Sequence, residues 1–330
     1  MQIAWSICAK SGKLMYIVSF PDFIFFIWTN FSHKSAVYSY TNDDTGGLAY
    51  AFVIPKDRIK ADEPIQYQEI TDESIEAKAE AVITENSYKD DKISITISEL
   101  RECDTSIYVA DIQLADASYL RAGLADGTFG RNVTEVTSQI VQDSNAILAI
   151  NGDFYGFRNK GYVMRNGYLY RETAQQGRQG NSRQEDLVIY EDGHMDVIEE
   201  NEVAAQTLKD SGASQIFSFG PGLIKNGNIT VDENSEVEQS MQSNPRTAIG
   251  MITPLHYIMA VSDGRTEASE GLTLYQLAQI MKGQDCVTAY NLDGGGSSTM
   301  WFNGEVVNQP TPYGSKISER AVSDIVYIGR

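Results

Sequence analysis

The chain has 330 residues, with 26 Lys+Arg against 45 Asp+Glu and a formal net charge of −19. An apolar share of 42% can build a sizeable core, which excludes a wholly disordered chain, and the length suits one large domain or two small ones. The acidic balance argues against nucleic acid, which needs clustered Lys and Arg on its phosphates, yet a few converging arginines can still hold one small phosphate.

Residues 1–35 read differently from the rest. Lys10 and Lys13 precede an apolar run from Leu14 to Trp28, the pattern of an export signal or signal anchor. Pro21 and Asp22 interrupt that run, so a buried segment or an extension outside the domain is the alternative. An anchor here is the one route to a membrane that the sequence offers, and it would place the protein outside the cell or at its surface. Residues 36–87 are expected to be a polar, acidic linker region, most acidic from Ala61 onward, with a single catalytic-sized domain over 88–330.

Within that domain, ISITI at Ile93–Ile97 and SIYVADIQL at Ser106–Leu114 alternate as strands. A helix is predicted near Thr134–Gln142. The run AILAI at Ala146–Ile150 reads as a buried strand that delivers Asn151, Gly152 and Asp153 at its end. Asn166-Gly167, Asp192-Gly193, Asn226-Gly227 and Asn303-Gly304 each predict a type I′ hairpin turn between apolar-alternating arms. Thr273 to Gln276 is a capping-box pattern that opens a helix with Leu274, Leu277, Ile280 and Met281 on one face and Gly283 at its end. The sum is an α+β fold: sheet-rich, with several antiparallel hairpins and a few packed helices.

Cys8, Cys103 and Cys286 stand at unrelated spacings without a Cys-x-x-Cys pair, which argues against structural zinc; whether Cys103 and Cys286 pair stays open. His33, His194 and His256 form neither an HExxH motif nor a Ser/His/Asp order. Chemistry therefore falls to carboxylates and arginines.

Four segments combine a strand end with glycine and charge: Asn151–Tyr155, Asn244–Thr247, Val261–Arg265 and Asn291–Thr299. Singly, each is an ordinary turn. The last lacks the ending of a P-loop and the spacing of a dinucleotide site, so it does not read as a nucleotide loop. Gly294, Gly295 and Gly296 still allow close backbone approach to a ligand and a nest of N–H donors, with Ser297, Ser298 and Thr299 adding hydroxyls and Asp293 at the head. Arg246 and Arg265 supply fork geometry for a phosphate or carboxylate.

The ordered set NGDFY, NPRTAIG, SDGR, EGLTLYQLAQIM, NLDGGGSSTM and SERAVSD resembles the phosphodiester glycosidase family over about Tyr88 to Arg330. That resemblance adds the C-terminal Arg320, with Asp324 after it. It implies hydrolysis of a sugar-1-phosphodiester of the GlcNAc-1-phosphodiester kind, with a sugar-phosphate or glycan phosphodiester as substrate. On this reading Asp293 is the base or nucleophile, with Asp263 and Asp153 as runners-up. Arg246, Arg265 and Arg320 clamp the phosphate, Gly294 to Ser297 donate backbone bonds, and Asn151 and Thr247 orient the substrate. No cofactor is required. Two other readings stay open. A metal-dependent phosphodiesterase would set Asp153, Asp263 and Asp293 around Ca²⁺ or Mg²⁺. A non-catalytic glycan-phosphate binding module would use aromatic platforms such as Tyr155, Phe157 and Trp301.

Overall fold

The computed structural model describes residues 4–10, 13–20, 23–30, 35–42, 47–55, 81–175, 184–235, 243–314 and 316–330. The chain divides into two units, residues 1–77 and 78–330.

In the first unit, Ala4–Lys10, Lys13–Phe20 and Phe23–Asn30 form a three-stranded antiparallel sheet, and Ser35–Asn42 pairs with Gly47–Pro55. The apolar run expected as a signal or anchor thus lies in two strands on either side of Pro21 and Asp22. Among the described residues no helix is long and apolar enough to cross a membrane. The stretch expected as a linker holds the 35–55 hairpin, whose alternating sequence suits strands better than coil. The second unit starts at Lys78, before Tyr88, because Val82–Ile83 and Ser87–Lys89 extend the edge of its largest sheet.

That unit is three antiparallel sheets. A nine-stranded sheet runs, neighbour to neighbour, Asn228–Ile229, Gly222–Lys225, Thr288–Asn291, Arg246–Thr253, His256–Ser262, Thr105–Leu114, Ile93–Glu102, Ser87–Lys89 and Val82–Ile83. A five-stranded sheet runs Leu120–Leu124, Asp324–Gly329, Ala146–Asn151, Met300–Phe302 and Glu305–Val306. The other five-stranded sheet runs Tyr168–Arg171, Val163–Arg165, Ala213–Phe217, Glu185–Tyr190 and Met195–Glu199.

One core joins all three. Ile112, Ile249, Met259 and Tyr290 from the large sheet meet Leu148, Ile150, Val326 and Ile328, and Leu187, Ile189 and Phe217. Successive side chains leave opposite faces of a strand, so the alternate residues Ile107, Val109, Ala248, Ile258 and Ala260 face a second cluster. Helix Leu274–Gly283 closes that cluster with Leu274, Leu277, Ile280 and Met281. Each such buried side chain contributes roughly 1.5–3 kcal/mol relative to exposure. The Thr273–Gln276 capping box is present.

The predicted helix near residue 134 spans Thr137–Ser144 and ends at left-handed Asn145. It covers the outer face of Ala149, Ile325 and Tyr327 with Ile140 and Val141. The turns at Asn166-Gly167, Asn226-Gly227 and Asn303-Gly304 carry positive φ at both residues, as predicted. The Asp192-Gly193 turn differs: only Gly193 is positive, at 87°. The amide of Gly193 bonds Tyr190 and that of Tyr190 bonds His194, so the loop is three residues long and ends in glycine. The Asp192 carboxylate accepts the His194 amide at 3.1 Å and holds that longer loop.

Cys103 is exposed and Cys286 buried, and the two are unpaired.

Candidate active site

Strand ends from the three sheets converge on Asn151, Arg246, Asn291, Met300, Asp324 and Arg165. Asn151 is fully buried and joins three of the motif segments. Its Nδ2 donates to the Asp293 carbonyl at 2.6 Å; its Oδ1 accepts the Thr247 hydroxyl at 2.7 Å and the Thr299 amide at 3.2 Å. The Asp293 amide in turn donates to the Gly152 carbonyl at 3.2 Å. Asn151 and Thr247 therefore build the frame and have their polar atoms committed to it.

Asp153 and Asp324 share one buried arginine that the motifs did not single out. Arg165 donates Nε to Asp324 Oδ2 at 2.8 Å, and its Nη2 lies 2.7 Å from that oxygen and 3.0 Å from Asp153 Oδ2. Its guanidinium also stacks on Phe217, 3.9 Å from the ring centroid. Asp153 further accepts the amides of Tyr155 at 2.7 Å and Ser218 at 3.0 Å. Burial opposes its charge, but Arg165, Arg158 and the Ser218 amide outweigh burial and hold its carboxyl below the usual range. Burial pushes Asp324 up to about 7, with the Arg165 charge opposing and Asp153 adding. A Cβ on Gly152 would lie 2.4 Å from Asp324 Oδ1, so only glycine fits beside this carboxyl. Both carboxylate oxygens of Asp153, expected as a runner-up for catalysis, are committed to the scaffold.

Asp263 is held through one oxygen. Its Oδ1 accepts the Asn308 side chain at 3.2 Å and the Gln309 amide at 2.8 Å. Asn308 also bonds the Ser298 carbonyl and the Met300 amide, tying this corner to the glycine-rich loop. Burial raises the Asp263 carboxyl, and these two donors offset part of the rise. Among the described residues no group of three or more His, Cys, Asp or Glu side chains could hold a metal ion. The three aspartates of the metal reading do not form one.

Asp293 is different. It is only partly buried, and its Oδ1 accepts the amide of Gly294 at 3.0 Å. Burial raises its carboxyl, against the pull of the Ser297 hydroxyl, Arg320, the Gly294 amide and Arg158. The loop behind it is built by close approach. The Gly295 amide donates to the Pro245 carbonyl at 2.7 Å, and the amides of Ser297 and Ser298 close a turn on Gly294 and Gly295. A Cβ on Gly295, whose φ is +61°, would meet Arg265 Nη2 at 2.7 Å, and one on Gly296 would meet Pro312 Cα at 2.6 Å. Of the amides expected to face a phosphate from Gly294 to Ser297, those of Gly294, Gly295 and Ser297 are thus committed within the protein. The hydroxyls of Ser298 and Thr299 are buried with no hydrogen-bond partner among the described residues.

The arginines also divide. Arg246 is buried, donating Nε to the Leu272 carbonyl at 2.9 Å. Arg265 spans Asn244 Oδ1 at 3.0 Å and the carbonyls of Thr311 and Pro312 at 3.3 and 3.5 Å. Burial and the nearby Arg320 charge lower its basicity. Arg320 is exposed and makes no hydrogen bond or ion pair among the described residues. The aromatic platforms are not a set either. Tyr155 is buried against Phe129, and Trp301 packs partly under the 137–144 helix; Phe157 is 40% exposed.

Sequence reasoning missed Arg158, Arg165, Asn308 and the fully buried pair Asp186 and Glu200. Burial and the Glu200 charge push Asp186 well up, and burial raises Glu200. None of the five stands in a glycine-marked segment as a partner of charge, which was the only signal available.

Comparison with known proteins adds a lineage to this geometry. A family described as phosphodiester glycosidase matches residues 144–329. The SPbeta prophage-derived uncharacterized protein YomE of Bacillus subtilis (strain 168) is 31% identical over 204 residues, 61% of this chain and 30% of that protein. The mouse N-acetylglucosamine-1-phosphodiester alpha-N-acetylglucosaminidase is 36% identical over 111 residues, 30% of this chain and 21% of the enzyme. This chain thus spans less than a third of either relative. The catalytic domain of the zebrafish enzyme of that name, auto-inhibited by its pro-peptide, aligns at a TM-score of 0.54 and 20% identity. That alignment covers 72% of this chain and 83% of the other, and shows the shared fold.

Proposed function

The chain belongs to the phosphodiester glycosidase family, and from that premise we propose that it hydrolyses a sugar-1-phosphodiester, GlcNAc-1-phosphate esters being the first to try. The observation that carries the reading is the Asp293 carboxyl, on a half-buried residue at the head of the glycine loop, under the influence of Arg320 and with Arg265 packed on Gly295. Asp153 is locked in the Arg165 ion pair and Asp263 accepts from Asn308 and Gln309 through Oδ1, and we assign the role of base or nucleophile to Asp293.

The chemistry is balanced simply. In a single displacement, Asp293 takes a proton from water as the water oxygen bonds C1, and the C1–O bond to phosphate breaks with its electron pair leaving on the phosphomonoester. In a double displacement, Asp293 first bonds C1 as the phosphomonoester leaves, and water then bonds C1 as the C1–Asp293 bond breaks and returns its electron pair to the carboxylate; in both, the water proton ends in solvent. A phosphomonoester has a second pKa near ~6, so it departs with little protonation, and arginine charge can replace much of the acid an ordinary glycosidase needs. No cofactor enters this scheme. A cell-surface or exported setting, with a glycan phosphodiester as natural substrate, belongs to the same proposal.

The test is a panel of sugar-1-phosphodiesters, UDP-GlcNAc included, assayed for free reducing sugar. Release of sugar with a phosphomonoester co-product is expected. In Asp293→Asn the rate should fall on the order of 10²-fold or more, the scale of a lost base or nucleophile. No sugar from any member would overturn the function, and full activity in the variant would overturn the role of Asp293.

A further inference from the structure

We infer that Arg158 is the second arm of the anion grip, holding with Arg320 the non-bridging oxygens of the phosphodiester on which Asp293 acts. The inference rests on the function proposed above, and it moves the grip away from two of the arginines that the motifs suggested.

The argument is a count of committed donors. A guanidinium carries five N–H groups, and one that binds substrate must keep some of them available. Arg165 is held by two carboxylates and two carbonyls. Arg171 gives its Nε to the Gly161 carbonyl at 2.7 Å and its Nη1 to those of Arg158 and Tyr155 at 2.7 and 3.2 Å. Arg265 is a brace between Asn244 and the 311–312 segment. Arg246 is buried and holds the Leu272 carbonyl.

Arg158 is the most weakly held of these. Its Nε and Nη1 make only 3.5 Å contacts, to the Phe154 carbonyl and Gln175 Oε1, and its Nη2, like those of Arg165 and Arg171, is buried without a hydrogen-bond partner. Leaving such a donor unmet carries its full desolvation penalty, and a ligand oxygen would remove it.

Its placement is prepared rather than loose. The Arg158 carbonyl is pinned by Arg171, and the guanidinium lies 5.7 Å from the centroid of the Phe219 ring. Arg158 sits five residues beyond Asp153 on the segment that leaves Asn151, whose side chain holds the Asp293 carbonyl. Its charge reaches the Asp293 carboxyl, as does that of Arg320 from the C-terminal segment. The Phe219 ring under Arg158 precedes Gly220, whose carbonyl accepts from Asn291, two residues before Asp293, so the carboxylate lies within the field of two guanidiniums carried on segments some 160 residues apart. A phosphodiester offers two non-bridging oxygens to such a pair, and planar forks suit them better than ammonium groups.

The experiment compares the wild type with Arg158→Gln and Arg158→Lys in two measurements. Calorimetric titration with inorganic phosphate needs no turnover. Steady-state kinetics on the best sugar-1-phosphodiester of the panel separates KM from kcat. Arg158→Gln should weaken phosphate binding and raise KM by roughly tenfold to a hundredfold, the range of a charge-assisted hydrogen bond, while Arg158→Lys recovers part of the loss. Thermal melting of both variants controls for a structural role. Unchanged phosphate affinity in Arg158→Gln, or a wild type that binds no phosphate, overturns the inference. If the wild type releases sugar and Arg158→Gln does so with unchanged KM, the proposed function stands and the role of Arg158 falls. If phosphate binds through Arg158 but no phosphodiester is cleaved, the grip stands and the reaction falls.

Discussion

Asn151 donates its side-chain amide to the main-chain carbonyl of Asp293 at 2.6 Å, so the head of the glycine loop is positioned from the strand end that precedes Gly152. The same side chain takes the Thr247 hydroxyl and the Thr299 amide, which makes one residue the common support of three loops.

Replacing it should be costly. Asn151→Ala leaves the Thr247 hydroxyl, the Thr299 amide and the Asp293 carbonyl without this partner in a dry interior. At about 1–3 kcal/mol for each unmet group, and without strict additivity, a loss of about 3 kcal/mol or more is expected. Urea unfolding measures it, and a midpoint equal to that of the wild type would show that the support is redundant.

Gly152→Ala tests the space beside Asp324. The added methyl would sit 2.4 Å from a carboxylate oxygen that Arg165 holds in place. Overpacking of this kind typically costs ~1–3 kcal/mol. Gly283→Ala is the control, because its Cβ meets nothing within 4 Å at a helix end. A Gly152→Ala protein as stable as that control would refute the steric reading.

Stability should depend on pH through Asp324. Its ordinary value of 3.8 is raised to about 7 in the folded protein, so the native state binds this proton more tightly than the unfolded chain. Stability from this group is complete below about pH 4 and is lost as pH rises towards 7. Asp186, Glu200, Asp263 and Asp293 shift the same way, whereas Asp153 shifts down and acts only at lower pH. Asp324→Asn should therefore flatten the decline between pH 4.5 and 7 without abolishing it. Denaturant midpoints across that range check this, and a slope identical to the wild type would contradict it.

Activity should respond to the Asp293 carboxyl with the opposite sense. A base or nucleophile must be ionised, so kcat/KM falls on acidification, with a midpoint above the usual carboxylate range because burial raises this group. Arg320 lowers it, so Arg320→Gln should move the acid limb to higher pH as well as weaken substrate binding. A pH–rate profile in which the limb stays put or moves down would separate Arg320 from Asp293.

Local instructions in the sequence were readable because they act over a few residues. Asn166-Gly167 states its own backbone angles, Thr273 and Gln276 cap one helix between them, and Ala146–Ile150 announces a buried strand with polar residues at its end. The glycine loop with Asp293 was readable for the same reason. Arg165 was not, since its partners lie 12 and 159 residues away and the residue itself looks like the flank of a hairpin turn. Nor could glycine content tell that the loop amides face inward. Three glycines predict that backbones come close, and the structure supplies what they come close to: Pro245, Arg265 and Pro312. The division of arginines into braces and available donors depends on carbonyls such as those of Leu272 and Thr311, which carry no sequence signature.

The support at Asn151 has a temporal consequence. Its three bonds to other loops span 96, 142 and 148 positions of the chain, so each closes a large loop whose entropy must be lost before the bond rewards it. Hairpins and the 274–283 helix can form early from neighbours, but the Asp293 carboxylate acquires its place only when remote segments dock. Recovery of catalysis during refolding should therefore follow the slowest structural phase, and a half-folded chain, however rich in strand, would be inert.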